Sequence, residues 1–225
     1  MSSKEMASKE ILGRVPPERP GQPGGKRDRN RRARLAQLRE AGLRLFLAHG
    51  VETVTIDDIA KEAGTAKGNF YRYFEDKEDL VAGIVQPAGE ILGEAFDRCL
   101  AALEEARDER SLFGAYQTFA LGMLPLALGH PDVVRLYLQE SRAPAEGARA
   151  PIRALADDIR ARAVQLTRYA VEHDLLTVRD PRVSALAVVG AVEQLAWSFL
   201  NGELDAAPDE VARTLISLVL RGIRT

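Results

Sequence analysis

The chain has 225 residues, of which 46% are hydrophobic, so it is long enough to bury a core without disulfides or metals. Its single cysteine, Cys99, excludes an intrachain disulfide and fits a reducing compartment. The longest apolar stretch, residues 185–200, contains Glu193 and Gln194, and the polar start of the chain lacks the hydrophobic core of a signal peptide. We therefore expect a cytoplasmic globular protein with no membrane partner.

Charge is distributed unevenly, although the net charge is only −2. Residues 1–80 contain 16 lysines and arginines against 13 carboxylates, whereas the remainder contains 15 against 20. The basic residues concentrate in one run, which consists of Lys26, Arg27, Arg29, Arg31, Arg32 and Arg34. Such a run is typical of a segment near phosphate, but a solubilising tail has the same composition, and the run alone favours the tail.

The first elements are an arm and a helix. Residues 1–28 are expected to form a disordered basic arm, because residues 1–25 contain four prolines and four glycines. Ordered structure is expected from Arg29. Apolar residues then recur at helical spacing over residues 31–48, and His49 and Gly50 end the pattern.

Two short helices follow. Thr55 and Asp58 form the pattern of a capping box, which predicts a helix over residues 56–63 that ends at Gly64. A third helix is predicted over residues 66–73. Asp76 and Asp79 begin a fourth, which is expected to continue, bent at Pro87, to residue 106.

The rest of the chain also has helical periodicity. Further helices are predicted over residues 111–128, 131–141, 151–172, 181–200 and 208–222. Four of them begin with proline at the first helical position, where its missing N–H costs nothing. No segment alternates as a strand does, so the predicted fold class is all-α.

The short helices on either side of Gly64 have the proportions of a helix-turn-helix. The second helix would present an amide, two cations and two phenols, which suit the edges of bases and the phosphates of a major groove. These side chains are Lys67, Asn69, Tyr71, Arg72 and Tyr73. An ordinary helical hairpin with a polar face has the same spacing, and the spacing alone leaves both readings open.

Residues 41–80 resemble the DNA-binding domain of the TetR/AcrR family of one-component transcription regulators. The matching positions are Leu45-Phe46, His49-Gly50, Thr55-Ile56, Asp58-Ile59-Ala60, Ala63-Gly64, Lys67-Gly68, Tyr71, Tyr73, Phe74, Lys77, Asp79 and Leu80. So many matches in order are far less expected by chance than a short motif.

The resemblance implies a three-helix DNA-binding domain over residues 29–80, joined through a long fourth helix to a regulatory and dimerisation domain over residues 81–225. It implies that the first helix and Thr55 touch phosphate, that the third helix enters the major groove, that Tyr71 and Tyr73 grip the backbone, and that Lys77 meets phosphate. The predicted DNA-binding residues are Arg34, Thr55, Thr65, Ala66, Lys67, Asn69, Tyr71, Arg72, Tyr73 and Lys77.

Three positions depart from the family pattern. Thr65 replaces a usual apolar residue, Ala66 replaces a common capping serine, and Asn69 replaces a frequent small hydroxyl residue. We expect Thr65 to cap the third helix one residue early and Asn69 to read a base. The operator sequence therefore cannot be inferred from a relative.

Dimerisation is predicted in the last two helices. Residues 181–200 are apolar on nearly all sides and rich in small residues, and a second apolar stripe runs through residues 208–222. The predicted interface residues are Leu186, Val189, Gly190, Ala191, Glu193, Trp197, Leu215, Leu218 and Val219. The alternative is that both helices complete the core of one subunit.

A ligand pocket is less visible in the sequence. Aromatic and methionine side chains can line an adaptable apolar cavity, and the candidates are Phe113, Tyr116, Phe119, Met123, Tyr137, Tyr169 and Trp197. Only a minority of them are expected to touch a ligand, because most such residues are core. His130, His173 and Cys99 lack partners at ligand spacing, so we predict no metal and no cofactor.

These features together predict a homodimeric repressor that binds a palindromic operator in double-stranded DNA and is released by an unidentified small-molecule effector. An all-α enzyme or carrier with an incidental helix-turn-helix would need a catalytic or metal constellation, and the sequence has none that we recognise. A family member without an effector, controlled by a protein partner or by its own abundance, remains an alternative. Activation in place of repression also remains open.

Overall fold

The structure, a computed structural model, describes residues 25–221, and every regular element in that range is helical. This confirms the all-α prediction. The helices are α1 Lys26–His49, α2 Ile56–Glu62, α3 Lys67–Phe70, α4 Lys77–Glu104, α5 Glu109–Gly129, α6 Pro131–Glu140, α7 Ala150–Glu172, α8 Pro181–Leu200 and α9 Pro208–Arg221, with a 3-10 turn, Gly147–Arg149, before α7. The predicted arm lies outside the described residues up to residue 24.

Helix α1 begins at Lys26, earlier than predicted, so the expectation that residues 25–28 belong to a disordered arm is wrong. Lysine and arginine are good helix formers, and Asp28 pairs with Arg32 across one turn at 2.9 Å. The basic run is therefore the first part of a helix. The predicted end is confirmed, since His49 is the last helical residue and Gly50 has a φ of 80°.

The capping box at the start of α2 is confirmed. The backbone N–H of Asp58 donates to the hydroxyl of Thr55 at 3.2 Å, and the backbone N–H of Thr55 donates to the carboxylate of Asp58 at 3.0 Å. Hydrogen bonds from Thr55, first from its side chain and then from its backbone, lower the pKa of Asp58 below its usual value.

Helix α3 is shorter than predicted, because only residues Lys67–Phe70 are helical and residues 71–73 form a turn. Asp76 caps α4 by accepting a hydrogen bond from the backbone N–H of Asp79 at 2.8 Å. Helix α4 then continues through Pro87 to Glu104. It packs along α5 and α7 and is the central helix of the fold.

Two apolar clusters make up the core. The first joins α1–α4 to α6 and the start of α7, with Phe46, Phe70, Leu80, Leu136 and Ile152 fully buried. The second lies between α4, α5 and α7 and includes Cys99. The three N-terminal helices thus share their core with helix α6 of the larger part of the chain.

Helices α5 and α8 are each long and apolar enough to cross a membrane by length and composition, with mean hydropathies of 1.3 and 1.6. The expectation of no membrane partner depended on Glu193 and Gln194 within residues 185–200, but these two residues do not bring α8 below the length and hydropathy of a membrane span. Core helices of non-membrane proteins pass the same test, so the finding by itself assigns no membrane role.

Candidate nucleic-acid interface

The α2–turn–α3 segment is held by backbone hydrogen bonds around Gly64, whose φ is 62°. The N–H of Gly64 donates to the carbonyl of Lys61 at 3.0 Å, and the N–H of Thr65 donates to the carbonyl of Ala60 at 2.9 Å. Phe70 anchors α3 from below, since its side chain is fully buried and lies 5.5 Å from the ring of Phe74. The opposite side of α3 is consequently turned to solvent.

The exposed side of this segment carries the residue types predicted for DNA contact. Tyr71 is 51% exposed, with the edge of its ring against Phe70, and Lys67 and Arg72 are also exposed. An added Cβ at Gly68 would meet no atom within 4 Å, so the backbone itself is open to close approach.

Lys67 pairs with Asp57 of α2, with 2.9 Å between Nζ and Oδ2. The hydrogen bond and the charge of Asp57 raise the pKa of Lys67 above its usual value. Both side chains are more than half exposed, and an exposed pair of this kind contributes little to stability. Lys67 can therefore exchange Asp57 for a phosphate or a base without a large penalty. The pairing of Asp57 was not foreseen, although helix-turn-helix geometry brings these two helices together.

The predicted capping role of Thr65 is wrong. Ala66 is the N-cap residue of α3 and makes no side-chain cap. The hydroxyl of Thr65 instead accepts a hydrogen bond of 2.7 Å from the side-chain amide of Asn69. Thr65 therefore orients Asn69, which is half-buried on the same segment.

The structure does not support the predicted phosphate contact of Lys77. Its ammonium donates to three backbone carbonyls of the turn between α1 and α2, those of Val51 at 2.7 Å, Glu52 at 3.1 Å and Val54 at 2.9 Å. An ammonium has three hydrogens, so these bonds use its full donor capacity. Lys77 fastens this turn to the start of α4, and we assign it a structural role.

The remaining predicted DNA contacts, Arg34, Thr55 and Tyr73, lie in α1, at the N-cap of α2 and in the turn after α3. Arg34 of α1 is half-buried and donates to Gln37 at 2.9 Å, whereas Tyr73 packs partly against the core. The hydroxyl of Thr55 lies in the capping box, 2.6 Å from Asp58 Oδ2. Contact of these three residues with DNA stays a prediction.

The predicted ligand residues are distributed over α5, α6, α7 and α8. Phe119 packs on Phe96 with 4.7 Å between ring centroids, Tyr169 stacks on His173 at 3.9 Å, and burial raises the pKa of Tyr116 to about 12. Two surface concavities, of about 320 and 410 Å³, are lined by other residues. Tyr137 is buried in the first core cluster, and Tyr116, Phe119, Met123 and Tyr169 pack against the two clusters, as expected for residues that mainly complete the core.

Glu193 does not point away from its own subunit, as an interface residue would. Its carboxylate accepts hydrogen bonds from the hydroxyl of Tyr137 at 2.8 Å and from Arg142 at 3.2 Å, and its side chain is 14% exposed. Burial and then the hydrogen bond to Glu193 raise the pKa of Tyr137 well above its usual value. Glu193 and Tyr137 thus join α8 to α6, whereas the predicted interface role of Glu193 and the predicted ligand role of Tyr137 stay predictions.

The other predicted interface residues lie on helices that are poorly covered. Ala185 is the only residue of α8 that is buried, whereas Leu186 and Leu218 are exposed. Val189, Gly190, Ala191, Trp197, Leu215 and Val219 are half-buried. No group of three metal-ligating side chains occurs within residues 25–221.

The fold and the exposed helix α3 define a helix-turn-helix DNA-binding protein. Residues 38–84 match the family model described as bacterial regulatory proteins, tetR family, and residues 118–223 match the model described as tetracyclin repressor-like, C-terminal domain. Together the two models cover more than half of the chain. The chain belongs to the TetR family of DNA-binding transcriptional regulators, which confirms the resemblance.

Individual relatives have low sequence identity to this chain. The HTH-type transcriptional regulator TcmR of Streptomyces glaucescens is 31% identical over 135 residues, which are 54% of this chain and 59% of TcmR. The fatty acid degradation regulator FadR of Bacillus halodurans has a TM-score of 0.61 at 21% identity, covering 85% of this chain and 96% of that one. FadR of Bacillus subtilis, in complex with stearoyl-CoA, has a TM-score of 0.60 at 18% identity, covering 84% and 99%. The two FadR structures share the fold with this chain.

Proposed function

We propose that this regulator is a cytoplasmic homodimeric repressor that binds a palindromic operator and is released by a small-molecule effector. The DNA-binding domain would end near residue 80, and residues 81–225 would bind the effector and form the dimer. The observation that supports this proposal most is the uncovered apolar surface of α8 and α9, the last two helices of the chain.

The dimer is supported by burial and composition. Only 6% of the most apolar window of α8 is buried within one subunit, although its mean hydropathy is 1.6. Exposed apolar area costs about 25 cal/mol per Å² relative to burial, so a surface of this kind favours association. Helices α8 and α9 with their copies from a second subunit would form a four-helix interface around a twofold axis.

A twofold axis has a direct consequence for the DNA. Two copies of α3 would enter successive major grooves about 34 to 36 Å apart on one side of the duplex. Each copy would then read the same bases in opposite orientation, so the operator is expected to be a palindrome. A regulator that occupies such a site near a promoter represses by excluding other proteins from it.

Effector release requires a ligand that prefers a dimer with a different spacing of the α3 helices. A roughly 100-fold loss of operator affinity corresponds to about 2.7 kcal/mol of differential binding, which a modest apolar site can supply. The match of residues 118–223 to a repressor-like C-terminal domain supports an effector site there. The structure of Bacillus subtilis FadR contains stearoyl-CoA, so a long-chain acyl-CoA is a reasonable first probe.

Two alternatives remain for the mode of control. The family places the chain among regulators, which leaves no support for the enzyme or carrier alternative. Control by a protein partner or by abundance would leave operator binding intact and unaffected by small molecules. Activation would be recognised by an operator upstream of the promoter rather than overlapping it.

The test is a selection of DNA by the purified full chain from a random library, followed by binding to a genomic fragment that contains the selected motif. We expect a palindromic motif and two copies of the chain per site by light scattering. A motif without symmetry, bound by a single copy, would contradict the proposal.

Release is tested on the same complex. Stearoyl-CoA and free coenzyme A are titrated against the operator complex, and thermal unfolding is measured with each. Release by the acyl compound alone would identify the effector class. If neither compound shifts unfolding, a library of apolar molecules is screened by melting temperature, and a library without any shift would favour the effector-free alternative.

A further inference from the structure

The turn between α1 and α2 is attached to helix α6 by a buried hydrogen bond. The backbone N–H of Val51, the first residue after Gly50, donates to Oε1 of Glu140 at 3.0 Å. Glu140 is the last residue of α6 and is only 6% exposed. The two partners are 89 residues apart in the chain, so this bond connects the helix-turn-helix to the larger part of the protein.

The second oxygen of Glu140 also has a partner. Oε2 accepts a hydrogen bond of 2.6 Å from Nε of Arg149, which belongs to the 3-10 turn before α7. A buried carboxylate is stable only when its charge is paired and its oxygens are hydrogen-bonded, and this one satisfies both conditions. Glu140 is therefore held in one position and presents a fixed acceptor to Val51.

The same turn is held from a second side by Lys77. The ammonium of Lys77 binds the carbonyls of Val51, Glu52 and Val54, whereas Glu140 binds the N–H of Val51. The donors and acceptors of this turn are thus engaged by two different elements, the start of α4 and the end of α6. The capping residue of α2, Thr55, follows immediately, so the position of the turn sets the position of α2.

The surrounding contacts between α1 and α6 are apolar. Phe46, Leu136 and Val133 belong to the same buried cluster. Apolar contact is not directional, so these side chains allow the helices to slide by small amounts. A hydrogen bond requires a defined distance and angle. The bond from Val51 to Glu140 therefore restricts the position of the turn relative to α6 more closely than the apolar contacts do.

Helix α6 is also attached to α8. Tyr137, one turn before Glu140, donates to Glu193 of α8 at 2.8 Å. A movement of α8 relative to α6 would therefore be transmitted from Tyr137 to Glu140, through the last turn of α6, to the segment between α1 and α2.

We propose that Glu140 is a positioning residue for DNA binding, which fixes the turn after α1 and hence the orientation of α2 and α3 relative to helices α4 to α9. The inference rests on the DNA-binding role of α3. It assigns to this buried carboxylate the coupling between the proposed dimer helices and the helix-turn-helix.

The test compares Glu140→Gln with Glu140→Ala in the full chain. Both variants remove the same charge, so long-range attraction to DNA changes equally. Glutamine retains an oxygen that accepts from Val51, whereas alanine retains none. Glu146→Gln, at an exposed carboxylate in the loop before the 3-10 turn, is the matched control.

Two quantities are measured: amide hydrogen exchange of residues 50–56 without DNA, and affinity for the selected operator. We expect Glu140→Ala to speed exchange in this segment and to weaken operator binding by about tenfold, the effect of one lost buried hydrogen bond, with exchange in α7 and α8 unchanged. Glu140→Gln loses the acceptor for Arg149, because its second terminal group is an NH2 donor, but it keeps the acceptor for Val51, so its exchange and affinity should lie closer to the parent than those of Glu140→Ala. The control should match the parent. Removal of a negative charge alone would strengthen DNA binding, so the expected loss has the opposite sign to the electrostatic effect.

Parent-like exchange and affinity in Glu140→Ala would overturn the inference, and so would an equal loss in the glutamine variant. If the alanine variant does not fold, Glu140→Asp takes its place, because the shorter side chain keeps the charge but cannot reach both Val51 and Arg149. A parent chain that selects no DNA would refute the proposed function, whereas the exchange measurement needs no DNA and tests Glu140 separately.

Discussion

The side-chain amide of Asn69 donates a hydrogen bond of 2.7 Å to the hydroxyl of Thr65, one helical turn earlier. This bond uses one of the two amide hydrogens and leaves the carbonyl oxygen and the second hydrogen available. A bidentate contact with adenine needs one donor and one acceptor, so Thr65 can orient Asn69 for a base without consuming the groups that would read it.

We predict that Asn69→Ala relaxes discrimination at one base pair of each half-site, at about 1 to 3 kcal/mol. Thr65→Val, which keeps the shape but removes the acceptor, should produce a smaller relaxation at the same base pair. The measurement is a repeated selection from the random library with each variant. Base preferences identical to those of the parent would show that Asn69 does not read sequence.

Lys77 is expected to stabilise the fold rather than to bind DNA. Lys77→Met should lower the free energy of unfolding by about 1 to 3 kcal/mol, because three backbone carbonyls, two of them partly buried, lose their donor. Chemical denaturation measures this change, with Lys61→Met at an exposed lysine of α2 as the control. Unchanged stability combined with weaker binding to all DNA sequences would instead show that Lys77 contacts phosphate.

The basic start of α1 is expected to add attraction that does not depend on sequence. Arg27→Gln with Arg31→Gln keeps good helix formers in the helix and removes two exposed charges. If both arginines engage phosphate in each subunit, the slope of log affinity against log salt should flatten by about three to four units per dimer. Arg168→Gln with Arg179→Gln, at exposed sites outside α1, is the charge-matched control. A slope equal to that of the parent would show that these arginines do not engage phosphate and that the basic run is only a solvated helix face.

The dimer proposal makes a prediction at Ala191. Ala191→Arg places a long cation on the apolar surface of α8 and should produce a monomer at micromolar concentration by light scattering, with operator affinity strongly reduced. Ala101→Arg, at an exposed site on α4, should remain a dimer. A dimeric Ala191→Arg protein would move the interface away from α8.

Cys99 should be unreactive in the native protein. It is fully buried, and burial raises the pKa of its thiol from the usual 9.0 to about 12. At pH 8 the thiol is therefore protonated and inaccessible, so labelling by a thiol reagent should require unfolding, whereas Ala101→Cys should react at once. Because the raised pKa favours the protonated form in the folded state, this contribution to stability is complete below pH 9 and decreases as the pH rises towards 12. Rapid labelling of native Cys99 would contradict the burial.

The sequence by itself determined the features that depend on near neighbours. The capping box of Thr55 and Asp58, the glycine turn at Gly64, and the prolines that begin α6, α8 and α9 were all predicted where the structure has them. Each involves groups within four residues of one another, so local sterics and hydrogen bonding decide it. The helix-turn-helix and its family could be recognised for the same reason.

Only the tertiary structure decided which partner each polar side chain takes. Lys77 binds carbonyls 23 to 26 residues away, Tyr137 binds Glu193 at a separation of 56 residues, and Val51 binds Glu140 at a separation of 89. These groups meet because helices α1, α4, α6 and α8 pack together, and packing brings distant segments into contact without leaving a periodic trace in the sequence. The structural role of Lys77 and the inward direction of Glu193 therefore follow from the packed fold alone.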